Sequence, residues 1–192
     1  LGCFAIFGIS IQIFMPYLII YYEVSLALAN YVLIMAPAVI IAAVVTALYG
    51  KVYDKYHFKV AIIPAIGMLC LGYVLLYAFT NIVLVFVGSL FMMSGYLMGM
   101  AVFGAMLRDY TPQNRAGMFQ GLRIVGQVLI PGIIGPWIGA LVLKNAETII
   151  NDDGTASFIP NANIFLAALI AACFIWLILA VIFDLTKNTK EN

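Results

Sequence analysis

The chain has 192 residues, of which 66% are hydrophobic and 9% are charged, and its net charge is +1. Soluble domains are near half apolar and a quarter charged, so this composition excludes a soluble globular protein. The near-neutral charge also excludes a basic face for nucleic acid. One histidine and three isolated cysteines offer no metal-ligand spacing, so we predict no metal site and no cofactor.

Six stretches are long and apolar enough to cross a bilayer, which takes about 20 helical residues for roughly 30 Å of hydrocarbon. In chain order they are predicted at Leu1–Tyr22, Leu28–Tyr49, Lys59–Phe79, Ile82–Leu107, Ala116–Leu143 and Ile164–Leu185. Their apolar character is continuous, whereas the strands of a membrane barrel would alternate. The predicted fold is therefore an all-α integral membrane protein, one bundle of six transmembrane helices over residues 1–192 with a polar tail at 186–192.

The connections between the predicted spans alternate in charge. Basic residues concentrate in the second connection (50–59), in the fourth (108–117) and at the C-terminus, whereas the others are mostly acidic or neutral. The positive-inside rule places both basic loops and both chain ends in the cytoplasm of a multi-pass plasma-membrane protein. Leu1 is not a methionine and lies inside an apolar run, so we expect the chain to be part of a longer protein.

The second connection contains a glycine, an aspartate and two lysines at a defined spacing: Gly50, Asp54, Lys55 and Lys59. Glycine ends a helix without steric cost, and a carboxylate here can pair with an arginine of a neighbouring loop. Alternatively, the segment is a solvated basic hairpin that only sets the topology. The spacing resembles the major facilitator superfamily signature G-x-x-x-D-[RK]-x-G-x-[RK], with His57 in place of the second glycine.

The fourth connection reads RDYTPQNRAG. Thr111 followed by Pro112 is typical of a helix start with proline at its first position. The segment is similar to the D-x-x-P-x-x-R-[GA] loop of the same superfamily. The resemblance implies a cytoplasmic charge cluster that locks one conformation, with Asp54 paired to Arg108 and Arg115 nearby.

The fifth predicted span is rich in glycine. Gly117 and Gly121 are four residues apart, and so are Gly135 and Gly139. Glycines at this spacing lie on one face of a helix and allow a neighbouring helix to approach closely. We therefore predict close helix packing at both pairs.

The same span contains two prolines and two polar residues. Pro131 and Pro136 remove backbone hydrogen bonds and are predicted to bend the helix near mid-membrane, where transporters often build substrate sites. Tight packing with a simple kink is the alternative. Arg123 and Gln127 are four apart and share a helical face. We predict that they face a polar cavity, although Arg123 could instead snorkel to the interface.

Other candidates for the substrate cavity are Gln12 and Tyr17 in the first span and Tyr96 in the fourth. Tyr17 would also suit an aromatic belt at the membrane surface, and Tyr96 a packed hydroxyl. No Asp, Glu or His lies deep in any predicted span. A carboxylate that binds a coupling ion is therefore expected elsewhere in the protein.

Over essentially the whole chain, the spans and motif order resemble the C-terminal half (helices seven to twelve) of a major facilitator superfamily transporter. Within that superfamily, the segments MPY, FQGLR and IPGIIGP look like those of glycoside–pentoside–hexuronide:cation symporters. The resemblance implies secondary active transport of a small polar solute, such as a sugar or glycoside in symport with a cation, by alternating access. Its implied partners are the missing N-terminal six-helix half, the lipid bilayer, a small-molecule substrate and a coupling Na⁺ or H⁺ bound in the other half.

Three alternative functions can be compared with the sequence. An exporter of amphipathic compounds would suit the methionines of the fourth span, Met92, Met93 and Met98. A structural membrane subunit that transports nothing would not need polar residues and prolines inside the spans. A membrane enzyme would need clustered His, Asp, Cys or Ser at one depth, which the spans do not offer. We therefore predict that the protein is not an enzyme.

Overall fold

The computed structural model describes residues 2–28, 30–112, 116–150 and 154–191. Within these residues it contains five apolar helices long enough to cross a membrane, which confirms the predicted all-α membrane fold. The helices are α1 (Gly2–Ser25), α2 (Val32–Ala78), α3 (Ile82–Asp109), α4 (Ala116–Ile124, the π-helical turn Val125–Leu129 and Ile130–Val142) and α5 (Asn163–Glu191). The first helix includes a 3₁₀ turn, Met15–Tyr17, and ends in a π-helical turn, Tyr21–Ser25. The predicted tail lies in α5 as far as Glu191.

The second helix folds back on itself. It has 47 residues, which as a straight helix would measure about 70 Å, more than twice the hydrocarbon thickness. His57 inside it has φ 57° and ψ −172°. The Tyr49 hydroxyl donates to the Ala61 carbonyl at 2.8 Å, although twelve residues of straight helix span about 18 Å. The chain therefore reverses at His57 between a first arm (32–56) and a second arm (58–78).

The two arms contain the predicted second and third spans, whose count as separate spans stays a prediction. The expected helix end at Gly50 is wrong, because the first arm continues helically through that residue. The reversal occurs instead at His57, the position where the resembling motif has its second glycine. A positive φ with an extended ψ is a conformation that glycine adopts easily and that other residues adopt under strain.

This strained turn leads to a prediction on stability. The change His57→Gly is expected to stabilise the protein by about 1 kcal/mol, because it relieves a positive φ that costs histidine on the order of 1–3 kcal/mol. The measurement is the unfolding midpoint of the full-length protein in detergent. The matched control is Tyr56→Gly in the adjoining helix, where glycine should destabilise by about 1 kcal/mol. Equal effects of the two changes would contradict the strained turn.

The second arm and α3 form a tightly packed hairpin. A Cβ added to Gly72 would come 2.4 Å from the backbone nitrogen of Met92, and one added to Gly95 would come 2.3 Å from that of Leu69. Helix backbones approach this closely only where a side chain is missing. The higher-numbered arm residue meets the lower-numbered α3 residue, so the two segments run antiparallel. At the turn, the Asn81 side chain accepts a hydrogen bond from the first turn of α3.

Close helix packing was predicted at two pairs of glycines, and it forms at one of them. A Cβ on Gly135 would come 2.3 Å from Gln12 Cβ, and one on Gly139 would also meet α1, so close packing at this pair is confirmed. The close packing expected at Gly117 and Gly121 does not form among the described residues, where nothing lies within 4 Å of a Cβ at either position. The two pairs have the same spacing, and only the neighbouring helix distinguishes them.

The first helix is tied to its neighbours by buried hydroxyl groups. Ser10 Oγ donates to the Ala168 carbonyl of α5 at 2.8 Å, so the Tyr73 hydroxyl, 3.1 Å away in the second arm, donates to Ser10. Tyr22 and Ser89 are joined at 2.6 Å between α1 and α3. These bonds fix α1 against three neighbours, because each buried hydroxyl left unpaired would cost about 1–3 kcal/mol.

The predicted helix start at Thr111 and Pro112 is wrong. Thr111 Oγ1 donates to the Leu107 carbonyl at 2.5 Å and so closes the last turn of α3. Pro112 is not helical, and in the described residues the fourth helix is Ala116–Ile124 at its start.

The long connection between α4 and α5 forms an antiparallel hairpin that the sequence did not indicate. Strand β1 (Thr148–Ile150) pairs with β2 (Ala156–Phe158), with Ile149 opposite Ser157. The base of this hairpin shares a cavity with Thr80, at the opposite end of the second arm from His57. Lys144 precedes the hairpin, so it lies at the opposite end of the bundle from the basic turn of α2.

Candidate functional site

Three of the predicted cavity residues meet in the structure. Gln12 of α1, Tyr96 of α3 and Gln127 of α4 line one cavity of about 150 Å³, together with Phe7 and Met100. Each of the three polar side chains is half-buried. The cavity therefore offers amide and hydroxyl groups, from three different helices, on an otherwise apolar surface.

Arg123 lies beside this cavity and orients Gln127. Its Nε atom is 3.0 Å from Gln127 Oε1. Since a guanidinium can only donate, the side-chain atom of Gln127 that faces it must be the carbonyl oxygen. The amide nitrogen is 3.7 Å from the sulfur of Met100. Arg123 thus orients the amide of Gln127. The two N–H donors of that amide lie on the side of the cavity.

The local backbone explains how Gln127 reaches this position. It lies in the π-helical turn Val125–Leu129, close before Pro131. Proline has no N–H to donate to the carbonyl four residues earlier, which is that of Gln127. A Cβ on Gly8 would come 3.4 Å from this carbonyl oxygen, so glycine there lets α1 approach the irregular turn. The helix continues through Pro136, and the bend expected at the two prolines stays a prediction.

Tyr17 lies apart from the cavity. Its hydroxyl is 3.5 Å from the Pro136 carbonyl, and its ring would be 2.6 Å from a Cβ on Gly139. The tyrosine therefore fills space between α1 and α4. The structure brings Gln12, Tyr96 and Gln127 together, with Arg123 adjoining them, and leaves Tyr17 in the helix interface.

A charged cluster lies at the end of the bundle where α2 turns. Arg108 Nε is 3.4 Å from Asp109 Oδ1, and the Tyr53 hydroxyl donates to Asp109 Oδ2 at 2.8 Å. Asp54 shares a cavity of about 200 Å³ with Arg108. The expected ion pair between them is not present in the described part of the chain, where the ion pair of Arg108 is with Asp109. Arg115 lies outside the described residues.

Sequence reasoning missed the role of Asp109 in this cluster. Asp109 is the first residue of the D-x-x-P motif, and this position in the motif could have indicated it as a member of the cluster. Tyr53 gave no signal in the sequence, because its partner Asp109 lies 56 positions away in the chain.

The two lysine candidates, Lys55 and Lys59, are exposed and flank the turn of α2 at His57. Lys55 Nζ is 5.1 Å from the ring centroid of Tyr56, and Lys59 Nζ is 5.5 Å from that of Phe183. The second of these cation–π contacts joins the turn of α2 to α5. Gly50 lies within the first arm, against the cavity that holds Asp54.

A larger cleft of about 860 Å³ separates the end of α3 from the start of α4. Arg108 and Arg123 line it, and Met100 lines both this cleft and the small cavity. The two spaces are therefore adjacent along the groove between α3 and α4. Among the described residues, no three His, Cys, Asp or Glu side chains come together as metal ligands.

The whole chain, residues 1–192, matches the family model described as Major Facilitator Superfamily. No curated protein matches the chain. The family match spans every helix described above and both cavities between α3 and α4.

Proposed function

We propose, since the chain belongs to the Major Facilitator Superfamily of membrane-embedded secondary transporters, that it moves a small polar solute, such as a sugar or glycoside, in symport with a cation. The superfamily membership establishes secondary transport in general. The solute class is inferred from the cavity, and the cation from the likeness of its short motifs to glycoside–pentoside–hexuronide:cation symporters.

The observation that carries this proposal is the convergence of Gln12, Tyr96 and Gln127 on one cavity. Amide and hydroxyl groups both donate and accept hydrogen bonds, as sugar hydroxyls do. Such groups are costly in an apolar interior unless they find partners, so their assembly from three helices favours a polar occupant. The apolar walls, Phe7 and Met100 among them, suit the C–H faces of a sugar ring.

The cavity is only part of a binding site. Its volume of about 150 Å³ is well below the roughly 300–1,000 Å³ of typical ligand pockets. The predicted N-terminal six-helix half would supply the remaining walls. It would also supply the site for a coupling Na⁺ or H⁺, because the residues lining the small cavity include no carboxylate. Apolar side chains such as Leu33 and Trp137, 73% and 63% exposed, are available to face that half or lipid.

Alternating access would move this bundle as a unit against the other half. The buried hydroxyl bonds of α1 support rigid-body motion, since they fix its packing on three neighbours. Asp54 and Arg108 line one cavity. An ion pair between them in a second conformation would release Asp109 from Arg108, which makes this cluster the proposed conformational switch.

The proposed location is the plasma membrane, with the turn of α2 in the cytoplasm. This end of the bundle carries Lys51, Lys55, Lys59 and Arg108, whereas Lys144 lies near the β-hairpin at the other end. Such segregation is typical of the positive-inside rule.

The test is solute uptake by the full-length protein in sealed liposomes. We expect gradient-driven uptake of at least one labelled glycoside, pentose or hexuronate under a sodium or proton gradient, and its loss in Arg123→Ala. The control is Lys144→Ala, which removes the same charge at the far end. Absence of flux for every sugar under every gradient would contradict the sugar assignment and favour an exporter of amphipathic compounds.

A further inference from the structure

A second cavity, of about 650 Å³, lies at the base of the β-hairpin, at the end of the bundle opposite the turn of α2. Its walls come from the end of α1, from Thr80 between α2 and α3, and from the two sides of the hairpin base (145–147 and 159–162). We call this space the hairpin cavity. None of its lining residues lines the solute cavity or the cleft between α3 and α4. Its volume is within the roughly 300–1,000 Å³ of typical ligand pockets.

The walls of the hairpin cavity are fixed by hydrogen bonds. The Ser25 hydroxyl of α1 donates to the Pro160 carbonyl. Across the hairpin base, the N–H of Ile159 donates to the Glu147 carbonyl at 2.7 Å. The Asn161 side chain accepts a backbone N–H at the start of α5 at 3.1 Å. The end of α1, the hairpin and α5 therefore hold the cavity between them.

Glu147 gives the hairpin cavity a negative charge. Among the described residues that line the cavity, Glu147 is the only Asp or Glu, and none is Lys, Arg or His. The ion pair found in the described part of the chain, Arg108 with Asp109, lies at the other end of the bundle, so Glu147 has no cationic partner there. Lys144 precedes Glu147 in sequence but does not line the cavity. The charge of the cavity therefore favours a cationic ligand over an anionic one.

The rest of the lining favours an organic cation over a metal ion. Tyr21, Leu26 and Ile159 contribute apolar surface, and Asn145 and Thr80 contribute neutral polar groups. A hard metal cation takes six or more oxygen ligands at close range, and no three His, Cys, Asp or Glu side chains of the described chain come together. An occupant that matches this lining has one cationic group and an apolar body.

We propose that the hairpin cavity binds a primary organic ammonium ion with an apolar or aromatic body, with Glu147 as its counter-ion. Hydrogen bonds from an ammonium to a carboxylate are charge-assisted and about twice as strong as neutral ones. The body of the ligand would pack on Tyr21, Leu26 and Ile159, where burial of its apolar surface adds affinity. This site is additional to the proposed sugar transport and does not depend on it.

The experiment is equilibrium binding of tritiated phenethylammonium to the full-length protein in detergent, measured by scintillation proximity. We expect saturable binding that Glu147→Gln weakens about fivefold, the effect of one favourable exposed ion pair, and that Glu147→Asp largely retains. The matched control is Glu23→Gln. It removes the same charge at the same end, from an exposed residue of α1 that does not line the cavity, and should leave binding unchanged.

The outcomes separate this site from the other possible sites. Equal binding by wild type and Glu147→Gln would overturn the proposal, as would equal losses in Glu147→Gln and Glu23→Gln. Displacement of the amine by calcium but not by sodium, at equal ionic strength, would overturn it in favour of a metal site. A loss in Gln127→Met with none in Glu147→Gln would overturn it and place the amine in the solute cavity. Since no transport is measured, a failure here is distinguishable from a failure of the proposed transport function.

Discussion

Replacing Gly72 by alanine is expected to destabilise the protein by at least about 2 kcal/mol, as overpacking in a close-packed interior does. The added Cβ would come within 2.4 Å of Met92 N and 2.6 Å of its Cα. Both are backbone atoms and cannot rotate away, so the second arm of α2 must separate from α3. The measurement is the unfolding midpoint of the full-length protein in detergent.

The matched control for this prediction is Gly67→Ala, five positions earlier in the same arm. A Cβ at Gly67 meets no atom within 4 Å. Alanine is favoured over glycine inside a helix by roughly 0.5–1 kcal/mol, so this variant should be neutral or more stable. If both variants lowered the midpoint equally, the close approach of these two helices would be disproved.

The change Gln127→Met is expected to lower transport by about tenfold or more, because it removes the amide while preserving side-chain length and volume. The variant takes away the amide donors of Gln127, while those of Gln12 remain, and leaves Arg123 Nε without its acceptor. An unpaired polar group in such an interior costs about 1–3 kcal/mol, which corresponds to this loss in rate or affinity. The measurement is initial uptake in sealed liposomes of a sugar that the wild-type protein transports.

Leu129→Met is the control for this second prediction. It introduces the same side chain in the same turn of α4, at a position that is 53% exposed and not among the residues lining the small cavity. Uptake by this variant should equal that of wild type. A Gln127→Met protein that transports normally would remove Gln127 from the solute site.

The sequence alone determined the membrane helices and their chemistry. Backbone groups in lipid must be satisfied within a helix, so apolar length by itself predicts where helices lie. Polar residues inside such spans are few, which made Gln12, Tyr96 and Gln127 candidates before their contacts were known. Local spacing also placed Arg123 and Gln127 on one face, four residues apart, and the structure joins them.

Local patterns were insufficient wherever two distant segments had to meet. Gly117 and Gly121 have the spacing of Gly135 and Gly139, yet only the second pair contacts α1. The expectation for Arg108 named Asp54 from a distant segment, whereas the structure pairs it with its chain neighbour Asp109.

Only the tertiary structure decided where α2 reverses, which residues share the cavity and which carboxylate holds Arg108. The reversal occurs at His57, although Gly50 was the more suitable residue, because packing of both arms overrides a local preference. The cavity brings Met100 and Gln12 to Gln127, 27 and 115 positions away, and the charged cluster brings Tyr53 to Asp109, 56 positions away. Helix formation in lipid depends on neighbours within one turn, whereas a site is defined by contacts between helices that no single segment encodes.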